Sequence, residues 1–237
     1  LQFKREKKLS KHESQILRNL EGFGFSIRKN FLLEIKILDE IIEYFYDGLD
    51  RNKKFLNKNP MIYSPLKEEH TDILLDHIQK NYETAIAKYL FDMPYLKTIC
   101  YMYSNNTVSL DNSSQFWHLD KQGPRTLKIF IALQDLNESQ GPLTFLDAFK
   151  TKYLVKLFRY SKTKNFKRIS DESINNEFYD FNKLSEKFLE KKGSVAFLDT
   201  DRCLHFGSRK SCNSRLLLYI EYGSLLDYTI PNYKLNL

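Results

Sequence analysis

Near Leu96 the apolar residues of this chain change their spacing, and that change constrains the fold more than any other feature. Before it they recur every three or four positions, the period of a helix with one buried face. Phe31, Ile35, Leu38, Ile42, Phe45 and Leu49 form one such series, ending near Gly48. Ile16, Leu17 and Leu20 form an earlier one, behind the capping box Ser10-Lys11-His12-Glu13 and with Gly22 as its expected stop. Phe23-Gly24-Phe25-Ser26-Ile27 then reads as a short edge strand. Ser64-Pro65 offers an N-cap and a proline at the first helical position, which predicts a further helix to about Tyr89.

After Leu96 the spacing falls to two. Strands are predicted over 97–104, 114–118, 126–136, 143–146, 193–199 and 214–223. Turns separate them at Asn105-Asn106, Gln122-Gly123-Pro124, Gln140-Gly141-Pro142 and Lys192-Gly193. Helices first and strands second predict an α+β layout, mainly β, with helices on one face of a folded sheet. The chain of 237 residues buries one substantial core and demands no second domain. We expect a single domain over 1–237, a mainly helical flank over 1–95 and a strand core over 96–224. The weakly patterned stretch 148–192 holds the basic run Arg159–Arg168 and a partly helical part over 174–188; it reads as an insertion that acts as a lid.

Alternation within two strands assigns their faces. Leu127, Ile129, Ile131 and Leu133 alternate with Thr126, Lys128, Phe130 and Ala132. The aliphatic set should meet the helices and leave Lys128 and Phe130 toward a cavity. In the last strand Leu216, Leu218 and Ile220 face the same way, so Arg215, Leu217 and Tyr219 face in. Both strands thus point a cation into one interior, which a plain apolar core would not tolerate unpaired.

Three residues at the ends of strands carry the chemistry. His118 and Asp120 lie in Phe116-Trp117-His118-Leu119-Asp120, and His205 lies in Cys203-Leu204-His205-Phe206-Gly207. Two imidazoles and one carboxylate are the facial triad that holds non-haem Fe(II) and leaves positions open for substrate and oxygen. On a strand, His-x-Asp puts both side chains on one face about 7 Å apart. Arg215, ten residues after His205, is placed to hold the far carboxylate of 2-oxoglutarate. Cys203 and Trp117 read as packing residues, and His12, His70 and His77 as ordinary surface or core histidines.

With these motifs in order, the chain resembles the phytanoyl-CoA dioxygenase (PhyH) family of Fe(II)/2-oxoglutarate-dependent oxygenases over about Gly22 to Tyr222. The entry segment Gly22-Phe23-Gly24-Phe25-Ser26-Ile27 through Phe31-Leu32, the motif Trp117-His118-Leu119-Asp120, and the strand Leu127–Leu136 followed by Glu138-Ser139-Gln140-Gly141-Pro142-Leu143 carry the likeness. So does Gly193–Thr200 leading to His205. The resemblance implies a double-stranded β-helix, a cupin-like jelly roll, with flanking N-terminal helices. It implies iron on His118, Asp120 and His205, and 2-oxoglutarate on Arg215. Tyr103 and Phe130 would line the cosubstrate pocket. Lys128 would either add positive charge for 2-oxoglutarate or substrate, or pair with a local acid. Two positions depart from the pattern: Leu146-Asp147-Ala148-Phe149 replaces a Pro-Gly-Ser-His segment, and Gly207 stands where a Ser is common. The carboxylate of Asp120 favours hydroxylation over halogenation, since halogenating relatives carry a small residue there.

The expected activity is hydroxylation of a small molecule with O2, releasing succinate and carbon dioxide. The alternative is a metal-binding cupin of another kind, an isomerase, a hydrolase or a non-catalytic binding protein. The net charge of +7 reads as a lysine-rich surface, with no nucleic-acid module and no apolar run near the roughly 18–20 residues of a membrane span. The basic insertion hints at an anionic substrate. Three cysteines without CxxC spacing suit a reducing cytoplasm.

Overall fold

The computed structural model describes residues 8–29, 35–50, 61–106, 115–120, 125–157, 168–176, 183–209 and 211–226. Helix α1 (Lys11–Phe23) opens on the expected capping box: the Ser10 hydroxyl accepts from Glu13 N at 3.1 Å, and Glu13 Oε2 accepts from Ser10 N at 3.0 Å. The other Glu13 oxygen accepts from Thr84 N, so the cap also ties α1 to a distant helix. The helix runs past Gly22 and stops at Gly24, whose φ of 80° is left-handed and whose backbone leaves no room for a side chain against the Cys203 sulfur. Strand β1 (Phe25–Arg28), helix α2 (Ile35–Asp50), strand β2 (Met61–Ser64) and helix α3 (Glu68–Tyr89) follow.

The sequence predicts the start of α3 at Ser64-Pro65. Instead Ser64 pairs with Tyr101 as the last residue of β2, and the helix begins at Glu68 behind Lys67. Proline ends the strand by removing a backbone donor, and Glu68 and Glu69 suit the positive end of the helix dipole.

Strands β3 (Pro94–Ser104) and β4 (Thr126–Ala132) lead to a short sheet strand β5 (Thr144–Phe145) and helices α4 (Ala148–Leu157) and α5 (Asp171–Asn175). Strands β6 (Glu186–Lys187), β7 (Val195–Leu198), β8 (His205–Phe206) and β9 (Arg215–Ser224) complete the chain. Of the segment expected as a strand over 114–118, the described residues 115–118 form only two isolated bridges, at Trp117 and His118, and the strand expected to reach Leu136 ends at Ala132. Among the described residues the region between α4 and β7 contains helix and strand rather than bare loop. Phe31, the Gln122-Gly123-Pro124 turn and residues 159–167 of the basic run lie outside the described residues.

All pairings are antiparallel. Six strands form one sheet in the order β1-β7-β4-β9-β3-β2, and three form a second, β6-β5-β8. Helices α1, α2 and α3 cover one face of the large sheet, where Leu127, Ile129, Ile131, Leu216, Leu218 and Ile220 join Ile16, Leu38, Leu74 and Ile86 in one buried cluster. The small sheet packs against the other face, where Phe130, Ala132, Leu217 and Tyr219 meet Phe145 and Phe188. The alternation read from β4 and β9 therefore assigns both faces as expected. Among the described residues no helix is long and apolar enough to cross a membrane.

Candidate metal centre

His205 lies on β8, and His118 is joined to it by a reciprocal pair of backbone hydrogen bonds, each 3.0 Å. Residues that exchange both bonds project side by side. The two rings accordingly lie 4.3 Å apart at 47°. His118 Nδ1 is 2.7 Å from Phe116 O, and His205 Nδ1 is 3.0 Å from Cys203 O. A carbonyl only accepts, so each Nδ1 carries the proton and each Nε2 keeps its lone pair for a ligand. These backbone carbonyls orient the rings, and no side-chain motif announces them.

Asp120 is fixed by its own N–H, which donates to Thr200 O at 3.0 Å. Its Oδ1 is 3.8 Å from His118 Nε2 and its Oδ2 is 3.7 Å from His205 Nε2. Ligand atoms of the three residues lie within 4.8 Å of one another, the spacing a single ion closes with small side-chain shifts. Burial lowers both imidazoles, His205 to about 3, so both rings are neutral near pH 7. Burial alone would raise the Asp120 carboxyl, but His205 and Lys128 beside it outweigh that and hold it well below the usual carboxylate range. Two neutral imidazoles and one carboxylate are a donor set for a divalent first-row metal.

Arg215 opens β9 and is wholly buried. Its Nη1 donates to Gly141 O at 2.7 Å, while Nε and Nη2 have no partner among the described residues. Burial lowers it only to about 10, so it is a cation at neutral pH. Gly141 holds its carbonyl there through a left-handed φ of 59°, and a Cβ at that position would come within 2.7 Å of Arg209 O. Two orphaned nitrogens, Nε and Nη2, on a buried guanidinium form a receptor for a carboxylate fork.

His118, Asp120, His205 and Arg215 line one cavity of about 250 Å³, with Lys128 and Phe130 in its wall as the alternation predicted. Lys128 Nζ stands 2.6 Å from Asp120 Oδ2, so of the two roles read from sequence the structure shows pairing with a local acid. Tyr103 is a correction. It faces the helices, packed on Phe45 at 5.6 Å, because it stands opposite Leu216 on the aliphatic face. Its neighbour Met102 lines the cavity instead, with Met61 and Tyr63 from β2, Leu143 and Arg168. Strand parity from β9 would have found Met102; nothing in the sequence marked β2. Cys203 and Trp117 pack as expected, the thiol against Phe23 O and the indole edge-on to Phe206 with its N–H on Asp171.

No family model matches the sequence, and no curated protein matches it by sequence. Solved structures do match the fold. HygX from Streptomyces hygroscopicus, with nickel and 2-oxoglutarate bound, aligns with a TM-score of 0.62 at 13% identity, covering 92% of this chain and 88% of that one. The epimerase SnoN, in complex with Fe3+, alpha-ketoglutarate and nogalamycin RO, gives 0.57 at 11% identity over 90% and 84%. A prolyl-4-hydroxylase from Pseudomonas putida gives 0.53 at 13% identity over 90% and 98%. At these identities the likeness is one of fold: the chain is built like proteins whose structures hold iron or nickel and 2-oxoglutarate, and it carries a His-Asp-His cluster of its own.

Proposed function

We propose that this protein is an Fe(II)/2-oxoglutarate-dependent oxygenase of the phytanoyl-CoA dioxygenase type. In this reading its two sheets are the walls of a double-stranded β-helix, residues 1–237 are one catalytic domain, and 148–192 is its lid. His118, Asp120 and His205 would hold the iron through Nε2, one carboxylate oxygen and Nε2. Arg215 would hold the distal carboxylate of 2-oxoglutarate. The observation that carries the reading is Arg215: a fully buried cation with two nitrogens that have no partner among the described residues, in the same cavity as the three ligands. Such a group is expensive unless an anion completes it.

When bound, iron with 2-oxoglutarate supplies the oxidative chemistry, with succinate and carbon dioxide as co-products. The chain supplies positioning. Phe116 O and Cys203 O fix the ring tautomers, and Gly141 O aims Arg215. Phe130, Met102 and Leu143 give the cavity apolar walls that limit water around the reacting centre. The prime substrate is a small molecule, and Arg168 at the cavity supports an anionic one. Asp120 as a third ligand supports hydroxylation. The free state of Cys100, Cys203 and Cys212 suits a reducing, cytoplasmic setting.

The test is succinate formation from 2-oxoglutarate with Fe(II) and oxygen. Slow uncoupled turnover is expected in the wild type and lost in His205→Ala and Arg215→Ala. Wild-type turnover no higher than in His205→Ala, with iron demonstrably bound, favours the non-oxygenase cupin. Once a substrate is found, transfer of 18O from O2 into product separates hydroxylation from an epimerase-type outcome.

A further inference from the structure

The positive charge of this chain is concentrated in one stretch. From Phe149 to Ile169 the sequence carries eight Lys and Arg residues and no Asp or Glu. Set against 37 basic and 30 acidic residues in the whole chain, these eight account for all of its positive excess. Helix α4 opens the stretch. It buries Thr151 and Leu154 on one side. On the other, Phe149 is 67% exposed, Tyr153 57% and Leu157 43%, at positions i, i+4 and i+8 of one face. Phe23, at the end of α1, lies edge-on to Phe149 and extends this exposed apolar strip. Lys152 and Lys156 stand exposed beside it, with no acidic partner among the described residues. Lys150 is turned aside, held by Asp147 at 3.1 Å and by Leu184 O at 2.8 Å.

Large apolar side chains left in water along one helix face, with lysines at their flank, suit the boundary of a bilayer. There the apolar groups pass the headgroups while the ammonium groups meet anionic lipid. A groove of about 440 Å³ beside the strip adds apolar depth through Leu119, Ala148, Phe149 and Val155, and its acids, Glu21 and Asp201, stand with Lys152 and Arg202. A nucleic acid would answer the charge but set Leu157 and Phe149 against phosphate. A two-fold contact between copies would bring two such basic faces together. We infer that the exposed face of α4 docks this protein on an anionic lipid surface. The inference is independent of the metal-centre reading, since none of these residues lines the metal cavity.

Sedimentation of the full chain with vesicles tests it, one set of phosphatidylcholine alone and one with a third of the lipid replaced by phosphatidylserine. The anionic set should bind at least about tenfold more tightly. Each lysine near such a surface strengthens binding by about fivefold, so Lys152→Gln with Lys156→Gln should weaken it by about twentyfold. Phe149→Gln with Tyr153→Gln keeps the charge and should weaken binding by about tenfold. All four side chains are exposed, so the fold is retained. Lys36→Gln with Lys80→Gln removes the same charge from exposed sites on α2 and α3 and should change binding by less than about twofold. His205→Ala should bind as the wild type does, which keeps this test separate from that of the metal site. Binding that ignores phosphatidylserine, or that survives loss of the two aromatic rings, overturns the proposal. So does a single-stranded oligonucleotide that binds through the same lysines more tightly than the anionic vesicles do, which would assign the face to nucleic acid.

Discussion

On β4 and β9 the residues facing the helices alternate one for one with those facing the cavity, yet the two faces are built for different ends. Toward the helices, Leu127, Ile129, Ile131, Leu216, Leu218 and Ile220 are all at most 1% exposed and make only apolar contacts. Toward the cavity, on the same strands, stand Lys128, Phe130, Arg215 and Tyr219. The first face contributes stability, at roughly 25 cal/mol per Å² of apolar surface buried. The second gives some of it up: a buried guanidinium keeps two nitrogens without a partner among the described residues, and an ammonium is held against a carboxylate. One strand pair thus serves as scaffold on one side and binding site on the other, and period-two geometry keeps the two roles apart.

The sharpest way to break that contrast is Arg215→Met. It should weaken 2-oxoglutarate binding by about two orders of magnitude, as expected for losing a buried charged pair. The same change should raise the stability of the ligand-free protein by about 1–3 kcal/mol, since it removes an unsatisfied buried charge. Binding calorimetry and denaturant melts read the two effects, and a parallel loss of stability would contradict the assignment.

Ile129→Ala, one position along the other face, should do the opposite. It should cost about 2–5 kcal/mol through the cavity it leaves, with the 2-oxoglutarate affinity of the folded fraction unchanged. Tyr103→Phe sharpens the comparison further. If Tyr103 belongs to the helix-facing side, cosubstrate affinity is unchanged within twofold and stability changes by less than about 1 kcal/mol. A clear loss of 2-oxoglutarate binding would return it to the cavity.

The smallest effect concerns the turn after β7. Burial raises the Asp199 carboxyl, against the opposing hydrogen bonds from Tyr89 and from the backbone of Asp201 and Arg202. A carboxyl whose folded pKa is raised contributes stability that is complete below its ordinary pKa and is lost as pH rises through the folded value. Stability should therefore fall with rising pH across that window, and Asp199→Asn should flatten the slope in pH-dependent melts.

The sequence made the two faces legible on β4 and β9 because each strand is aliphatic on one side only. β3 is apolar on both sides, with Tyr101 and Tyr103 alternating with Cys100 and Met102, so its alternation has no sign and offers no check on the cavity place that the resemblance implies for Tyr103. His118, Asp120 and His205 were recognisable by residue type and spacing. Their placement was not: strand geometry was expected to align His118 with Asp120, whereas a single bridge to His205 and a bond to Thr200 O set the positions. Such long-range backbone pairing leaves no local pattern. The capping box of α1 was read correctly because it lies within four consecutive residues, while the stop moved from Gly22 to Gly24 because a contact with Cys203 selects between two glycines. Ser64-Pro65 carried a valid local helix signal that pairing with β3 overrode.

The central claim is that one cavity holds a metal on three residues and a dicarboxylate on a fourth. Anaerobic titration of the apo-protein with Fe(II) and then 2-oxoglutarate tests it most directly, through the weak visible charge-transfer band of the chelated complex. The account predicts a band in the wild type, none in His205→Ala, and a band that needs far more 2-oxoglutarate in Arg215→Ala. Iron bound to the wild type without any band on adding 2-oxoglutarate would contradict it.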